Sequence, residues 1–342
     1  MTNLFKLTIE GIDRTAQVEK RLISLSMTDK RGTEADELSL TLSDHDAALP
    51  LPTNGNEIRL WLAMPDTGDM IDKGTFTIDQ AEHSGTPDQL QIRAKSADFK
   101  SSLKVKRSDS YHQHKLGEIA SSVAKRHDLI LAIDNAVSAI MIDHIDQHRE
   151  SDINLLTRLC DDHDLMCTIK AGRLIIKPIA NARSPSGAAL GAVSITRQSG
   201  DSHRYSRADR TSDYNETTSS YHDDKTGKTK HISVKDGKSK PMDALPNDKS
   251  HVLTKPAKSK DEAVSKAKAS ANKKARQVAS FDLTLAVARP DIIADSPAIV
   301  RGFRPYIDQH QWTVVEVTHD LSGSGYSTGI KCEAGFKSIK KV

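Results

Sequence analysis

Cysteine is scarce: the 342-residue chain holds three, Cys160, Cys167 and Cys332. An odd number without a CxxC pair excludes a disulfide framework and a closed zinc set, so reduced thiols are expected. Aromatic residues make up only 4% and hydrophobic residues 37%, enough for two or three lean domains with much exposed surface. No apolar run approaches the length of a membrane span, and the opening MTNLFKLTIEG has no apolar signal-peptide region, so no membrane contact is expected. Charge of one sign is also missing. With Lys and Arg at 49 and Asp and Glu at 46, the formal net charge is +3, which argues against a specific nucleic-acid binder. P-loop, GxGxxG and HExxH motifs are all absent from the sequence, and no catalytic residue, metal or cofactor is expected.

What is present is a strand written twice. FTIDQAEH, from Phe76 to His83, has a near-double in WTVVEVTH, from Trp312 to His319. The likeness starts earlier, with IDKGTF from Ile71 lying over IDQHQW from Ile307 at one constant offset (319 − 83 = 236). Each copy continues into a Ser/Gly-rich turn, SGTPD or LSGSG, a second alternating strand, LQIRAK or TGIKCE, and a Phe-Lys-Ser at Phe99 or Phe336. Taken in order, these words predict a duplicated β-hairpin. His83 and His319 recur at equivalent places, which suits a repeated strand-end hydrogen bond better than catalysis, where one site suffices.

From Phe5 to about Ala94 the apolar residues recur at every second position, as in Leu38/Leu40/Leu42 and Ile58/Leu60/Leu62. Short runs of this kind between turn residues predict a small antiparallel barrel or sandwich. The period becomes helical at Leu116, Ile119, Ala120, Val123 and Ala124, and again at Ile153, Leu156, Leu159 and Cys160, where Ser151 or Asp152 is placed to cap the first turn. LMCTIK, a tight turn at Gly172 and RLIIKPI then read as a hairpin. The stretch from Gly200 to Pro256 is polar and reads either as exposed hairpins with long loops or as partly disordered chain. After it, Ser259 and Glu262 form a capping box for a helix with a thin face of Ala263, Ala267, Ala271, Ala275 and Val278. Period two returns at Phe281. The expected fold class is therefore α+β, mainly β. Two similar small antiparallel β-barrel domains span 1–105 and 191–342, an α+β domain lies between them at 106–190, and a polar, partly helical insertion at about 235–280 interrupts the second barrel.

Other constellations are weaker. His144 and His148 stand four apart, and His163 has Cys160 and several acids beside it, but no closed ligand set accompanies either group. Cys160 and Cys167 fall at core-facing positions rather than in an electropositive pocket. The lysines from Lys260 to Lys274 suit a solvated helix face as well as they suit phosphate contact.

The block QHRESDINLLTRLCDDHDLMCTIKAGRLIIKP resembles the signature of the phage late control gene D family, with Gln147, Glu150, Ser151, Asp152 and Gly172 at the family's positions. The closing block SPAIVRGFRPYIDQHQWTVVEVTHDLSGSGYSTGIKCE is similar to the same family's end region at Gly302, Phe303, Trp312, His319, Gly325, Tyr326 and Thr328. The resemblance covers nearly the whole chain. It implies the structural hub of a P2-like contractile tail baseplate, similar in architecture to the T4 tail hub and the N-terminal part of the type VI secretion tip protein. Such a protein would act without enzymatic chemistry in the tail of a phage, prophage or R-type-pyocin-like particle, after assembly in the bacterial host cytoplasm. The resemblance further implies a homotrimer with two barrels per subunit, matching a six-fold tail tube protein on one side and a trimeric spike protein on the other. Tape measure and baseplate wedge proteins are further partners it suggests. Because the sequence stops soon after the second hairpin, the spike is expected to be a separate polypeptide. Two alternatives remain: a tail-associated cell-wall or polymer hydrolase using Glu150 or His163, and a nucleic-acid grip by the polar stretch from Gly200.

Overall fold

Alternation of apolar and polar residues sets the first group of strands. The computed structural model describes residues 4–32, 34–96, 101–170, 172–179, 183–207, 216–223, 226–235, 237–242 and 250–334. Phe99 and Phe336 lie outside the described residues. The first group comprises β1 (Phe5–Ile9), β2 (Ile12–Asp13), helix α1 (Thr15–Glu19), β3 (Leu22–Lys30), β4 (Glu37–Ser43), β5 (Glu57–Ala63), β6 (Met70–Ser84) and β7 (Gln89–Ser96). In β4 the inward Leu38, Leu40 and Leu42 are buried while the residues between them are not, the period-two pattern of a half-buried strand. Ile58, Leu60 and Leu62 do the same in β5. Together with Phe76, Ile78 and their neighbours they form one core.

The second group is β8 (Lys106–Lys115), α2 (Leu116–Arg126), β9 (Ile130–Ile133), α3 (Asn135–Ser138), β10 (Met141–Ser151), α4 (Asp152–Asp162), β11 (Leu165–Lys170) and β12 (Arg173–Pro178). All five residues of the predicted α2 stripe are buried. Ser151 caps α4, its hydroxyl accepting from the Asn154 N–H at 3.3 Å. The β11–β12 turn passes through Gly172 at φ +68°, a left-handed conformation that costs other residues energy. All three helices and all three strands of the β11-β12-β9 sheet share a second core, which includes Cys160 and Cys167.

The third group is β13 (Val193–Thr196), β14 (Gly200–Arg207), β15 (Glu216–Asp223), β16 (Lys228–Lys235), β17 (Lys238–Met242), β18 (Ser250–Val252), α5 (Lys260–Arg276), β19 (Ala279–Leu285), β20 (Pro297–Arg301), α6 (Pro305–Asp308), β21 (Trp312–Ser322) and β22 (Gly325–Ala334). β14 and β19 pair directly, although about seventy residues separate them. What intervenes builds its own four-stranded sheet, β17-β16-β15-β18, with α5 packed on it through Ala263. The α5 face differs from the sequence expectation. Ala263 and Ala267 are buried, but the stripe then shifts to Ala269 and Arg276 while Ala275 is exposed, because Arg276 turns inward to meet Asp164.

The duplication reaches further than the hairpin. In the first group the strands lie in the order β1-β5-β6-β7-β4-β3, and in the third in the order β13-β20-β21-β22-β19-β14. Numbered by position along the chain, the two orders are the same. Registers match as well: Ile58 faces Phe76 as Ala298 faces Trp312, and Leu38 faces Ala94 as Phe281 faces Cys332. Bulges fall at the same places, between Ile78 and Gln80 as between Val314 and Glu316, and between Leu22 and Ser24 as between Gly200 and Ser202. One strand departs from the copy, since β13 runs parallel to β20 whereas β1 runs antiparallel to β5.

Mainly β architecture is as the sequence predicts, but no strand pairing among the described residues closes either half into a barrel. The edge of β3 is instead taken by β21, and the two halves merge into one 13-stranded sheet.

Candidate functional site

The two halves meet where β3 and β21 pair. Seven residue pairs, from Lys30 with Glu316 to Ser24 with Ser322, form this antiparallel joint. Thr28 and Thr318 stand opposite with their hydroxyls 3.4 Å apart, and the Ser26 hydroxyl donates to Asp320 Oδ1 at 2.6 Å. Met27 lies opposite His319, and both are buried. His319 Nδ1 is 2.9 Å from Thr328 Oγ1, which also accepts the Arg289 N–H at 3.0 Å. Burial drives the His319 imidazole down to about 3, with the charge of Lys73 adding to the effect, so the ring is neutral at ordinary pH. Leu321 and Tyr326, near the tip of the β21–β22 hairpin, pack on the core of the first half.

His83 behaves differently. It is 47% exposed and lies 3.3 Å from Asp44. The hydrogen bond of His319 does not recur because Leu90 stands across from His83 where Thr328 stands across from His319.

Beside the joint, charged side chains from all three groups converge. Lys170, at the end of β11, binds Asp29 of β3 and lies 3.3 Å from Asp36. Asp29 also accepts the Ala294 N–H at 3.0 Å, so one carboxylate ties β3, β11 and the segment before β20. Burial pushes the Asp36 carboxyl up to about 6 against the pull of Lys170, with the charge of Asp29 adding to the rise. Burial lowers Lys73 to about 8. Nearby Lys177 of β12 pairs with Asp295 at 2.6 Å, both side chains being almost fully buried. These groups rim a cavity of about 370 Å³ whose apolar wall includes Met27, Met166 and Ile175. A second tie runs through Arg276 of α5, bidentate to Asp164 at 2.9 and 2.5 Å, and on to Glu333, which also takes Arg31 at 2.5 Å.

The residues singled out from sequence do not form one site. Gln147, Glu150, Ser151 and Asp152 gather where β10 bulges into α4. Asp152 is fully buried and takes Arg126 at 2.7 and 2.9 Å, His127 at 2.7 Å and the Gln147 amide at 2.9 Å. Burial acts to raise its pKa, but these hydrogen bonds outweigh burial and hold it below the usual carboxylate value. Glu150 pairs with Arg158 at 2.7 Å. Gly302, Phe303 and Trp312 belong to the second half: the Gly302 and Phe303 N–H groups donate to Asp308 at 2.9 and 3.2 Å, and the Trp312 indole donates to the Ile307 carbonyl at 3.1 Å. Only His319 and Thr328 reach the joint, with Gly325 and Tyr326 at its hairpin end. Among the described residues no group of three or more His, Cys, Asp or Glu is placed to hold a metal. Sequence reasoning missed Asp29, Asp36, Lys170, Lys177 and Asp295 altogether.

This architecture can be set beside known proteins. The family model for the phage tail baseplate hub (GPD) matches residues 34–325. The chain belongs to that family. It is 35% identical over 366 residues to the probable baseplate hub protein of Escherichia phage 186, covering 98% of this chain and 94% of that protein. To the probable baseplate hub protein of Escherichia phage P2 it is 32% identical, covering 99% and 95%. Among solved structures, the 43 kDa tail protein of prophage MuSo2 from Shewanella oneidensis shares the fold with a TM-score of 0.71 at 13% identity, covering 96% of this chain and 97% of that one. The family places the protein in the baseplate of a phage virion tail, as a hub. No described helix is long and apolar enough to cross a membrane.

Proposed function

We propose that three copies of this hub form a ring of six near-equivalent sheet units, which joins a six-fold tail tube to a separate three-fold spike. The observation that carries this reading is the duplication: one chain repeats the same six-strand order with matching registers and bulges. A trimer of a duplicated unit presents six similar faces on one side while keeping true three-fold symmetry on the other. The two units, 1–105 and 191–342, flank the α+β domain at 106–190, whose charged ties to both set the angle between them. Gln147, Ser151 and Asp152 serve as a structural knot that holds the turn from β10 into α4. The role is mechanical rather than catalytic. Glu150 and His163, which a hydrolase reading would use, are engaged by Arg158 and by the Ser265 hydroxyl at 2.8 Å.

Light scattering of the purified protein, alone and with the trimeric spike protein of the same particle, tests the proposal. A trimer, or a monomer that becomes a three-to-three complex with the spike, is the expected result. A monomer indifferent to the spike at every concentration would overturn it.

A further inference from the structure

The formal charge of +3 hides an asymmetry between two parts of the chain. Residues 216–276, which include the β17-β16-β15-β18 sheet and α5, hold 15 Lys and Arg against 8 Asp and Glu. The remaining residues hold 34 against 38 (49 − 15 = 34, 46 − 8 = 38), so an insertion of charge +7 sits in a chain that is otherwise −4. Fourteen of the 15 are lysine, and the one arginine, Arg276, is buried against Asp164.

Strand register gathers part of this surplus on one surface. Ile232 of β16 packs with Ala263 of α5, so by alternation Ser233 and Lys235 turn to the opposite face of the sheet. Lys238 stands directly across from Lys235, and Lys240 across from Ser233, which puts the three lysines on that same face. Lys238 and Lys240 follow each other along β17 at about 6.8 Å. All three are exposed, and among the described residues none forms an ion pair, whereas Lys230 of β16 pairs with Asp223. Like charges directly opposite on neighbouring strands repel and destabilise the pair. An anion laid across Lys235 and Lys238 removes that repulsion. Lysine on an edge strand also discourages aggregation, but Pro241 already blunts the outer edge of β17.

We infer that this lysine face binds duplex DNA through its phosphate backbone, without reading sequence. The inference does not depend on how many copies of the hub assemble. Residue type decides the kind of partner. Protein interfaces are depleted in lysine and enriched in Arg, Tyr and Trp. Within 216–276 the single arginine is buried, tryptophan is absent from the sequence, and Tyr221 packs inward on the small core. The same shortage of rings leaves unstacked bases nothing to stack on, so a single strand gains no advantage over a duplex. Carboxylates are gripped best by the arginine fork, while lysine serves phosphate as a point charge. Contacts of this type are weak, sensitive to salt and compatible with a duplex that slides.

Fluorescence anisotropy of a labelled duplex of about 30 base pairs, titrated with the full-length protein between about 50 and 200 mM salt, tests the inference. The logarithm of the binding constant should fall against the logarithm of salt with a slope of about −2.7, which is about −0.9 for each of three lysines. K235E/K238E/K240E should weaken binding at low salt by at least about tenfold. K6E/K20E/K125E makes the same change of charge at exposed lysines outside the insertion, and should weaken it by less than about threefold because distant charges are screened. The melting temperature shows whether each variant is folded, and K235Q/K238Q/K240Q repeats the test with a smaller charge change if the first variant is not. Equal losses in the two lysine triplets, or no binding of the duplex by the folded protein at about 50 mM salt, overturn the inference. Tighter binding of poly-glutamate than of the duplex also overturns it and assigns the face to an acidic protein.

Discussion

Phe76 and Trp312 occupy the same place in the two halves of the sheet, each facing a small or branched residue on the preceding strand and each 1% exposed. Seven positions later in each copy the likeness ends: His319 is buried, and His83 is 47% exposed. The difference teaches that the unit is copied in its core and differs at its rim. What covers the rim of β21 is a strand of the other unit, β3, whereas among the described residues no strand covers the same stretch of β6. The connections vary in the same way. Six residues join β3 to β4, while the equivalent connection from β14 to β19 houses the four-stranded sheet and α5. Loops at a rim tolerate such additions because lengthening them costs little closure entropy.

The strongest way to break the comparison is to empty both cores. Trp312→Ala and Phe76→Ala should each cost about 3–5 kcal/mol, the range for deleting a buried aromatic side chain. Denaturant unfolding of the two variants measures this. Similar losses would support two equivalent cores, and a loss below about 1 kcal/mol at either position would show that one half is a copy in topology only.

The two histidines sharpen the contrast by pH. His319 has its folded pKa depressed to about 3 from an ordinary 6.5. Its contribution is fully present above pH 6.5 and is lost as pH falls toward 3, because the unfolded chain takes up a proton that the folded one refuses. The slope between those limits is on the order of 1.4 kcal/mol per pH unit. Replacing His319 with Leu should flatten the acid limb of stability against pH measured by thermal melts. An unchanged limb would place the acid sensitivity elsewhere, for instance at Asp152.

Much of this was legible in the sequence, and the reason differs by element. The β6–β7 and β21–β22 hairpins could be matched because aromatic, β-branched and His residues recur at fixed spacing around a turn. The α4 cap and the buried stripes of α2 and α4 could be read because caps and helical periods are local. The six-strand correspondence could not. Leu38, Leu40 and Leu42 match Phe281, Leu283 and Leu285 in space, but any two strands with alternating apolar residues look alike. The charged ties were hidden for another reason. Asp29, Asp36 and Lys170 read as ordinary surface residues until the fold brings together positions more than a hundred residues apart. The inward turn of Arg276 is likewise set by Asp164, which no pattern within α5 announces.

The smallest expected effect tests the rim most directly. His83→Leu removes a contact with Asp44 in which the imidazole is nearly half exposed, and exposed pairs of this kind contribute between zero and about 1 kcal/mol. Asp44 keeps other partners, the Leu49 N–H at 3.0 Å and Arg21 at 3.9 Å, so the carboxylate is not left bare. The melting curve of the isolated subunit should therefore move by no more than the equivalent of about 0.5 kcal/mol. If a neighbouring copy covers this edge in the proposed trimer, the same substitution changes a contact at every such joint of the ring. A subunit of unchanged stability whose trimer dissociates at a different concentration would separate core from rim by experiment. Identical dissociation of variant and parent would mean that His83 faces solvent in the assembly too, and that its likeness to His319 is confined to the backbone.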